Sequence, residues 1–189
     1  MGLSLNGRTI AFLVAQEGVE EVELTKPREA VEKAGATTHL IAPEAGEVQA
    51  FNHLDKGDTF TVHRTLQDTD PTEYDAIVVP GGVVNSDFLR TVPGAVRFVQ
   101  RMFEARKPAA IICHGPWTAV EGDLVRGRTL TSWPSLKTDI RNAGGNWVDE
   151  EVQVCESGPN TLVTSRKPDD LPAFCSTLVR VFSRQGQPA

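Results

Sequence analysis

The chain has 189 residues, 40% hydrophobic and 23% charged, with a formal net charge of −6. That is enough chain to bury a sizeable core within one domain covering residues 1–189. The acidic balance argues against nucleic acid or an anionic membrane as the main partner, and no apolar run approaches the roughly 20 residues that a membrane span needs. Three cysteines, an odd number without close pairing, make neither a disulfide framework nor a zinc set. The start, Met1 to Arg8, is polar and does not read as a signal peptide. A reducing cytoplasm is the expected compartment.

Thr9 to Ala15 predicts a buried first strand, followed by the carboxylate-rich stretch Gln16 to Leu24 and a helix running to Gly35. Pro27 suits the first turn of that helix and Gly35 its far end. His39 to Ala42 is a second strand. This strand–helix–strand rhythm points to a parallel sheet with right-handed crossovers. From Glu44 to about Asp70 the pattern is less regular, and the alternation Thr59 to His63 suggests a short hairpin or edge strand. His53 and His63 lie here without a carboxylate or cysteine at metal-ligand spacing, so both read as ordinary histidines.

Tyr74 to Pro80 is the next strand, ending in Pro80-Gly81-Gly82. Paired glycines after a strand let backbone N–H groups converge on an anion. The chain has neither a Walker-type nor a dinucleotide-type glycine pattern. Ala95 to Ala105 predicts an amphipathic helix with Val96, Val99 and Phe103 along its stripe. Leu136 to Ala143 and Leu171 to Phe182 are further helices, and Trp147 to Val154 pairs with Thr161 to Ser165. The tail after Ser183 is expected to fray.

The richest stretch is Ala109 to Trp117, in which a short apolar run stops at Cys113-His114-Gly115-Pro116. Such a run fits a fully buried strand, with Cys113 at its carboxyl end, where open α/β sheets gather nucleophiles and ligands. A thiol beside a helix start is drawn toward thiolate. The pattern resembles the strand–nucleophile–helix elbow of α/β-hydrolases, with Ile111 where that motif has its first glycine and sulfur as the nucleophile. Cys155 and Cys175 read as structural thiols.

Val19-Glu-Glu-Val-Glu-Leu24, Val79-Pro-Gly-Gly82, Ile112-Cys-His-Gly-Pro116, Thr131-Ser-Trp-Pro134 and Val163 to Pro168 together resemble a PfpI-type member of the DJ/PfpI superfamily along the whole chain. The resemblance implies an α/β fold, a flavodoxin-like three-layer sandwich. Its sheet would be mostly parallel with helices on both faces, close to the class I glutamine amidotransferase fold. It maps the nucleophile onto Cys113, the neighbouring histidine onto His114, and the glutamate that reaches the cysteine onto Glu20. The oxyanion amides map onto Gly82 and His114. A carboxylate from a neighbouring subunit, which would orient the histidine, maps onto Asp87. Glu20 makes chemical sense beside a thiolate only if it keeps its proton; Glu17, Glu21 and Glu23 read as solvent-facing carboxylates of an acidic helix start.

The implied function is that of a cysteine-nucleophile enzyme in stress protection, acting on small carbonyl compounds or on glycated protein or peptides in glyoxalase or deglycase fashion, or as an intracellular cysteine peptidase. The alternative is a redox-sensing or chaperone-like protein whose Cys113 is oxidised. The implied assembly is a homodimer or higher homo-oligomer, and no cofactor or metal is expected. Many members carry Tyr where this chain has Trp133, so a hydroxyl contribution from that position is absent.

Overall fold

Strand β1 (Thr9–Leu13) leads through the short β2 (Glu17–Glu20) into helix α1 (Glu21–Lys33) and returns in β3 (Thr37–Ala42), in a computed structural model that describes residues 3–184. Next come the hairpin strands β4 (Glu47–Asn52) and β5 (Asp55–Thr61), then β6 (Arg64–Thr65) and β7 (Ala76–Val79). Helices α2 (Val83–Arg90) and α3 (Pro93–Glu104) lead to β8 (Ala109–Ile112) and α4 (Pro116–Glu121). Strand β9 (Thr129–Leu130), α5 (Lys137–Asn142), β10 (Asn146–Trp147), β11 (Val152–Cys155), β12 (Leu162–Ser165) and α6 (Leu171–Ser183) complete the order. The expected fraying beyond Ser183 lies, apart from Arg184, outside the described residues.

The main sheet has the order β11-β12-β8-β7-β1-β3-β6. All its neighbours run parallel except β11, which pairs antiparallel with β12. This is the mostly parallel, helix-flanked sheet expected from the sequence. The chain starts near the sheet's middle and winds outward both ways, so the crevice where the winding reverses opens between β1 and β7, at their carboxyl ends.

Successive side chains of a strand point to opposite faces, and the two apolar layers divide accordingly. Ile10, Phe12, Val78, Ala110 and Ile112 face the layer closed by α1 and α6, with Phe174 and Leu178 at its centre. Ala11, Leu13, Ile77, Val79 and Ile111 face the layer closed by α3, α4 and α5. The central strands are buried on both faces, which is why their sequences read as unbroken apolar runs.

Four sequence expectations need correction. Pro27 sits inside α1, not in its first turn, because the helix already begins at Glu21. The stripe of α3 is Ala95, Phe98, Val99, Met102 and Phe103; Val96 is only half-buried, one step off that face. The strand expected to run from Trp147 to Val154 is split into β10, which pairs with β9, and β11, which pairs with β12. The carboxylate stretch after β1 also supplies β2, which pairs with β4 in a separate three-stranded sheet, β2-β4-β5. Among the described residues, no helix is long and apolar enough to cross a membrane.

Candidate active site

Cys113 follows β8 directly and has φ of 62°, in the left-handed region that a non-glycine residue occupies only where its surroundings enforce it. Three contacts hold it there. Its N–H donates to Ser165 O at 3.0 Å, its carbonyl accepts from Trp133 N at 2.9 Å, and Gly115 N donates back to Ile112 O at 2.9 Å. Gly115 must lack a side chain, since a Cβ there would lie 2.8 Å from both Ile111 Cγ2 and Val79 O. The sharp turn lifts the sulfur off the end of the sheet, as an elbow does. Cys113 remains 5% exposed, at the floor of a cavity of about 400 Å³.

Glu23 is the carboxyl that reaches this thiol. It is 0% exposed, its Oε2 accepts from Gly81 N at 2.9 Å, its Oε1 has no hydrogen-bond partner among the described residues, and the carboxyl lies beside the Cys113 side chain, both crowding the Cβ position of Gly81. The reason is helical geometry. Glu23 shares the inward stripe Glu23, Leu24, Pro27, Val31 of α1, and helical side chains lean toward the N-terminus, here toward the strand ends.

Glu20, mapped onto this role from the sequence, does something else. It ends β2 just before the helix, and its Oε2 accepts the N–H of His53 at 3.1 Å in the β4–β5 turn. It lines the same cavity from the rim and tethers the hairpin. Glu23 is therefore neither solvent-facing nor incidental.

Burial pushes the Glu23 carboxyl up to about 8, with the Glu20 charge adding to the rise and the Cys113 and Gly81 hydrogen bonds opposing it. Burial and the charge of an ionised Glu23 push the Cys113 thiol up, against the pull of the Gly82 and His114 amides. The thiol is thus not drawn to thiolate by its setting alone, as the sequence suggested; it is half of a coupled acid pair. Two groups in contact cannot both ionise near neutrality, so they lose their first proton jointly and share the one that remains.

The amides of Gly82 and His114 both face the sulfur, and they are the two donors that the sequence assigned to an oxyanion. Gly82 has φ of 93°, and a Cβ there would lie 2.8 Å from Glu20 N, so the turn admits no side chain. Asn85, buried and unmarked by the sequence reading, fixes this turn: its Oδ1 accepts from Ala15 N at 2.7 Å and its Nδ2 donates to Gly81 O at 3.1 Å. Gly81 is equally constrained, since an added Cβ would lie 2.6 Å from Cys113 Cβ and press on the Glu23 carboxyl. Gly81→Ala is expected to cut Cys113 reactivity at least about tenfold and lower Tm by a few degrees, checked by alkylation rate and thermal melt.

His114 Nδ1 lies 3.2 Å from Cys113 Sγ. Its ring stacks on Trp133 at 5.6 Å and meets the edge of Trp117 at 5.2 Å. Burial pulls its pKa down to about 4. The fold therefore holds a neutral ring where the unfolded chain takes a proton at 6.5. This contribution to stability is present above pH 6.5 and is lost as the pH falls toward 4. The full loss is about 3 kcal/mol, so melts between pH 7 and pH 4 should fall less steeply in His114→Gln than in the wild type.

Asp87 lies exposed on α2, beside the exposed Val83, Val84 and Phe88. Glu121 and Asp123 are exposed, with Glu121 paired to Arg90 at 3.2 Å. His53, read as ordinary, stands at the cavity rim with Leu54, which is 93% exposed. Among the described residues, no group of three or more His, Cys, Asp or Glu could hold a metal ion.

Residues 8–181 match the DJ-1/PfpI family. "Putative cysteine protease YraA" of Bacillus subtilis is 36% identical over 167 residues, covering 88% of this chain and 94% of that protein. "Protein/nucleic acid deglycase 2" of Escherichia coli is 36% identical over 176 residues, covering 93% and 98%. Among solved structures, a two-domain protein from Anabaena variabilis with DJ-1/ThiJ/PfpI-like and ferritin-like domains superposes with a TM-score of 0.85 at 30% identity, over 96% of this chain and 50% of that one.

Proposed function

The chain belongs to the DJ-1/PfpI family, and on that premise we propose that it is a stress-protective cysteine enzyme acting on reactive carbonyls or on the adducts they leave on proteins. The observation that carries this reading is the buried Glu23 carboxyl in contact with Cys113, below two converging amides. The Escherichia coli relative named as a deglycase points the same way.

The chemistry follows from the shared proton. Cys113 Sγ adds to the carbonyl carbon; a C–S bond forms and the carbonyl π pair moves onto oxygen. The amides of Gly82 and His114 are placed to take the charge that develops there, and Glu23 supplies a proton to the oxygen. For an α-oxoaldehyde, moving a proton between the two carbons of the hemithioacetal, with Glu23 or neutral His114 as carrier, gives a thioester. Water then cleaves it to a 2-hydroxy acid and the free thiol. The net reaction is addition of one water, with no change of overall oxidation state.

Peptide hydrolysis is the second reading, favoured by the Bacillus subtilis relative's name. It needs a proton donor for the departing amine, and with His114 pulled down to about 4 by burial that proton must come from the Glu23–Cys113 pair. Carbonyl chemistry, in which no amine must be expelled from an amide, suits the site better. Purified protein offered methylglyoxal, a model protein bearing early methylglyoxal adducts and a fluorogenic peptide series should act on the first two. Peptide cleavage alone would overturn the preference.

The assembly is proposed to be at least a dimer that buries the face bearing Val83, Val84 and Phe88, with Asp87 directed at a second copy's site. Exposure of those three apolar side chains beside the cavity supports it. Phe88→Glu should shift the sedimentation coefficient toward that of a monomer; a wild-type monomer would contradict it. The working compartment is proposed to be the cytoplasm, in keeping with three free thiols.

A further inference from the structure

On the far side of the molecule, Arg128 is 3% exposed and committed to the loop that follows β11. Its Nη1 donates to Asn160 Oδ1 at 2.6 Å, and its Nη2 donates to the carbonyls of Cys155 and Asn160 at 3.0 and 2.6 Å. Its Nε has no hydrogen-bond partner among the described residues. A buried guanidinium donor left open is costly, and it marks a place where an acceptor can be taken up.

Cys155, whose carbonyl this guanidinium holds, has its Sγ 3.1 Å from Ser157 Oγ, and its thiol donates to Ser157 O at 3.5 Å. Gly158 lies over the guanidinium, where a Cβ would be 3.0 Å from Cζ and 3.1 Å from Nε. Gly158 also lines a polar cavity of about 350 Å³. Residues 156–159 above the thiol are exposed, and Cys155 itself is 4% exposed.

We propose that Cys155 is a second oxidation site, independent of Cys113, at which a hydroperoxide converts the thiol to a sulfenate held by Arg128. The sulfur attacks the outer peroxide oxygen; an S–O bond forms, the O–O bond breaks, the departing oxygen leaves as water or an alcohol with the thiol's proton, and the sulfenic acid so formed releases its own proton to solvent as the sulfenate. Sulfur is oxidised by two electrons and the peroxide is reduced by two. The open Arg128 Nε–H and the Ser157 hydroxyl then have an anionic oxygen to donate to. Burial alone would raise the Cys155 thiol, but Ser157, Arg128 and the Thr129 amide bring it below its ordinary value. Cys175, more exposed, is pushed up to about 11 by burial and by the charge of Glu29.

The two remaining cysteines make an internal control, since exposure alone ranks Cys175 first and the Arg128 setting ranks Cys155 first. Cys113→Ser protein is treated with one equivalent of hydrogen peroxide in the presence of dimedone and mapped by peptide mass spectrometry. Labelling of Cys155 at least about tenfold above Cys175 is expected. Equal labelling, or Cys175 ahead, would overturn the proposal. In the same background Arg128→Lys and the exposed Ser157→Ala should each lower Cys155 labelling at least about threefold. If the lysine variant does not fold, Ser157→Ala decides, and labelling unchanged in it counts against the site.

Discussion

Cys113→Ser is expected to reduce consumption of an α-oxoaldehyde at least about a thousandfold, equivalent to about 4 kcal/mol of transition-state stabilisation, with Tm nearly unchanged. The substitution keeps the Cβ and the elbow, since the strained φ of 62° is held by backbone contacts to Ser165, Trp133 and Ile112. What it removes is a polarisable atom able to carry negative charge in a buried site. A hydroxyl in the same place cannot give up its proton to a carboxyl whose own pKa is about 8. Progress curves with wild type and variant at equal concentration decide it; turnover retained by the serine variant would remove Cys113 from the chemistry.

Glu23→Gln is the second large effect. Glutamine fills the same space and can still accept from Gly81 N, now 2.9 Å from Oε2, so the fold should survive. It cannot exchange a proton with sulfur. General acid–base groups contribute about 10²- to 10⁴-fold, and a loss of at least about a hundredfold in kcat/KM is expected. Stability should respond in a distinctive direction. A carboxyl raised from 4.5 to about 8 binds its proton more tightly when folded, so its contribution is full below pH 4.5 and is lost as the pH rises toward 8. That slope should vanish in Glu23→Gln, whereas Glu20→Gln should keep it.

The sequence carried much of the site because Cys113 and the glycine turn are local. Cys113 ends an apolar run long enough for only one strand, and Pro80-Gly81-Gly82 can be read as converging amides without knowing the fold. The parallel sheet was equally legible, since strands buried on both faces lose the polar alternation of a surface strand. The carboxyl beside Cys113 was not. Four glutamates crowd residues 17–23, and choosing among them requires the residue where strand becomes helix. Setting that boundary at Glu21 puts Glu23 on the stripe with Leu24, Pro27 and Val31. An apparent first-turn proline at 27 moved the boundary too far along. The pairing of β2 with the β4–β5 hairpin was hidden for another reason: it joins residues about 30 apart through a ladder that leaves little pattern in either partner.

Arg128 shows a similar limit. Nothing beside it in sequence explains a buried guanidinium, because its partners Cys155 and Asn160 arrive from a loop more than 25 residues later. Burial of a charge is legible only once those partners are in place.

The proton shared between Glu23 and Cys113 is tested most directly by the pH dependence of Cys113 alkylation in wild type, Glu20→Gln and Glu23→Gln, read by peptide mass spectrometry. The wild-type rate should rise as the pair gives up its first proton, and Glu20→Gln should follow it closely. In Glu23→Gln the thiol must ionise without a carboxyl to share its proton, so the midpoint should move up by at least about one unit. A midpoint that stays in place or moves down in Glu23→Gln, with the upward displacement found in Glu20→Gln instead, would contradict it.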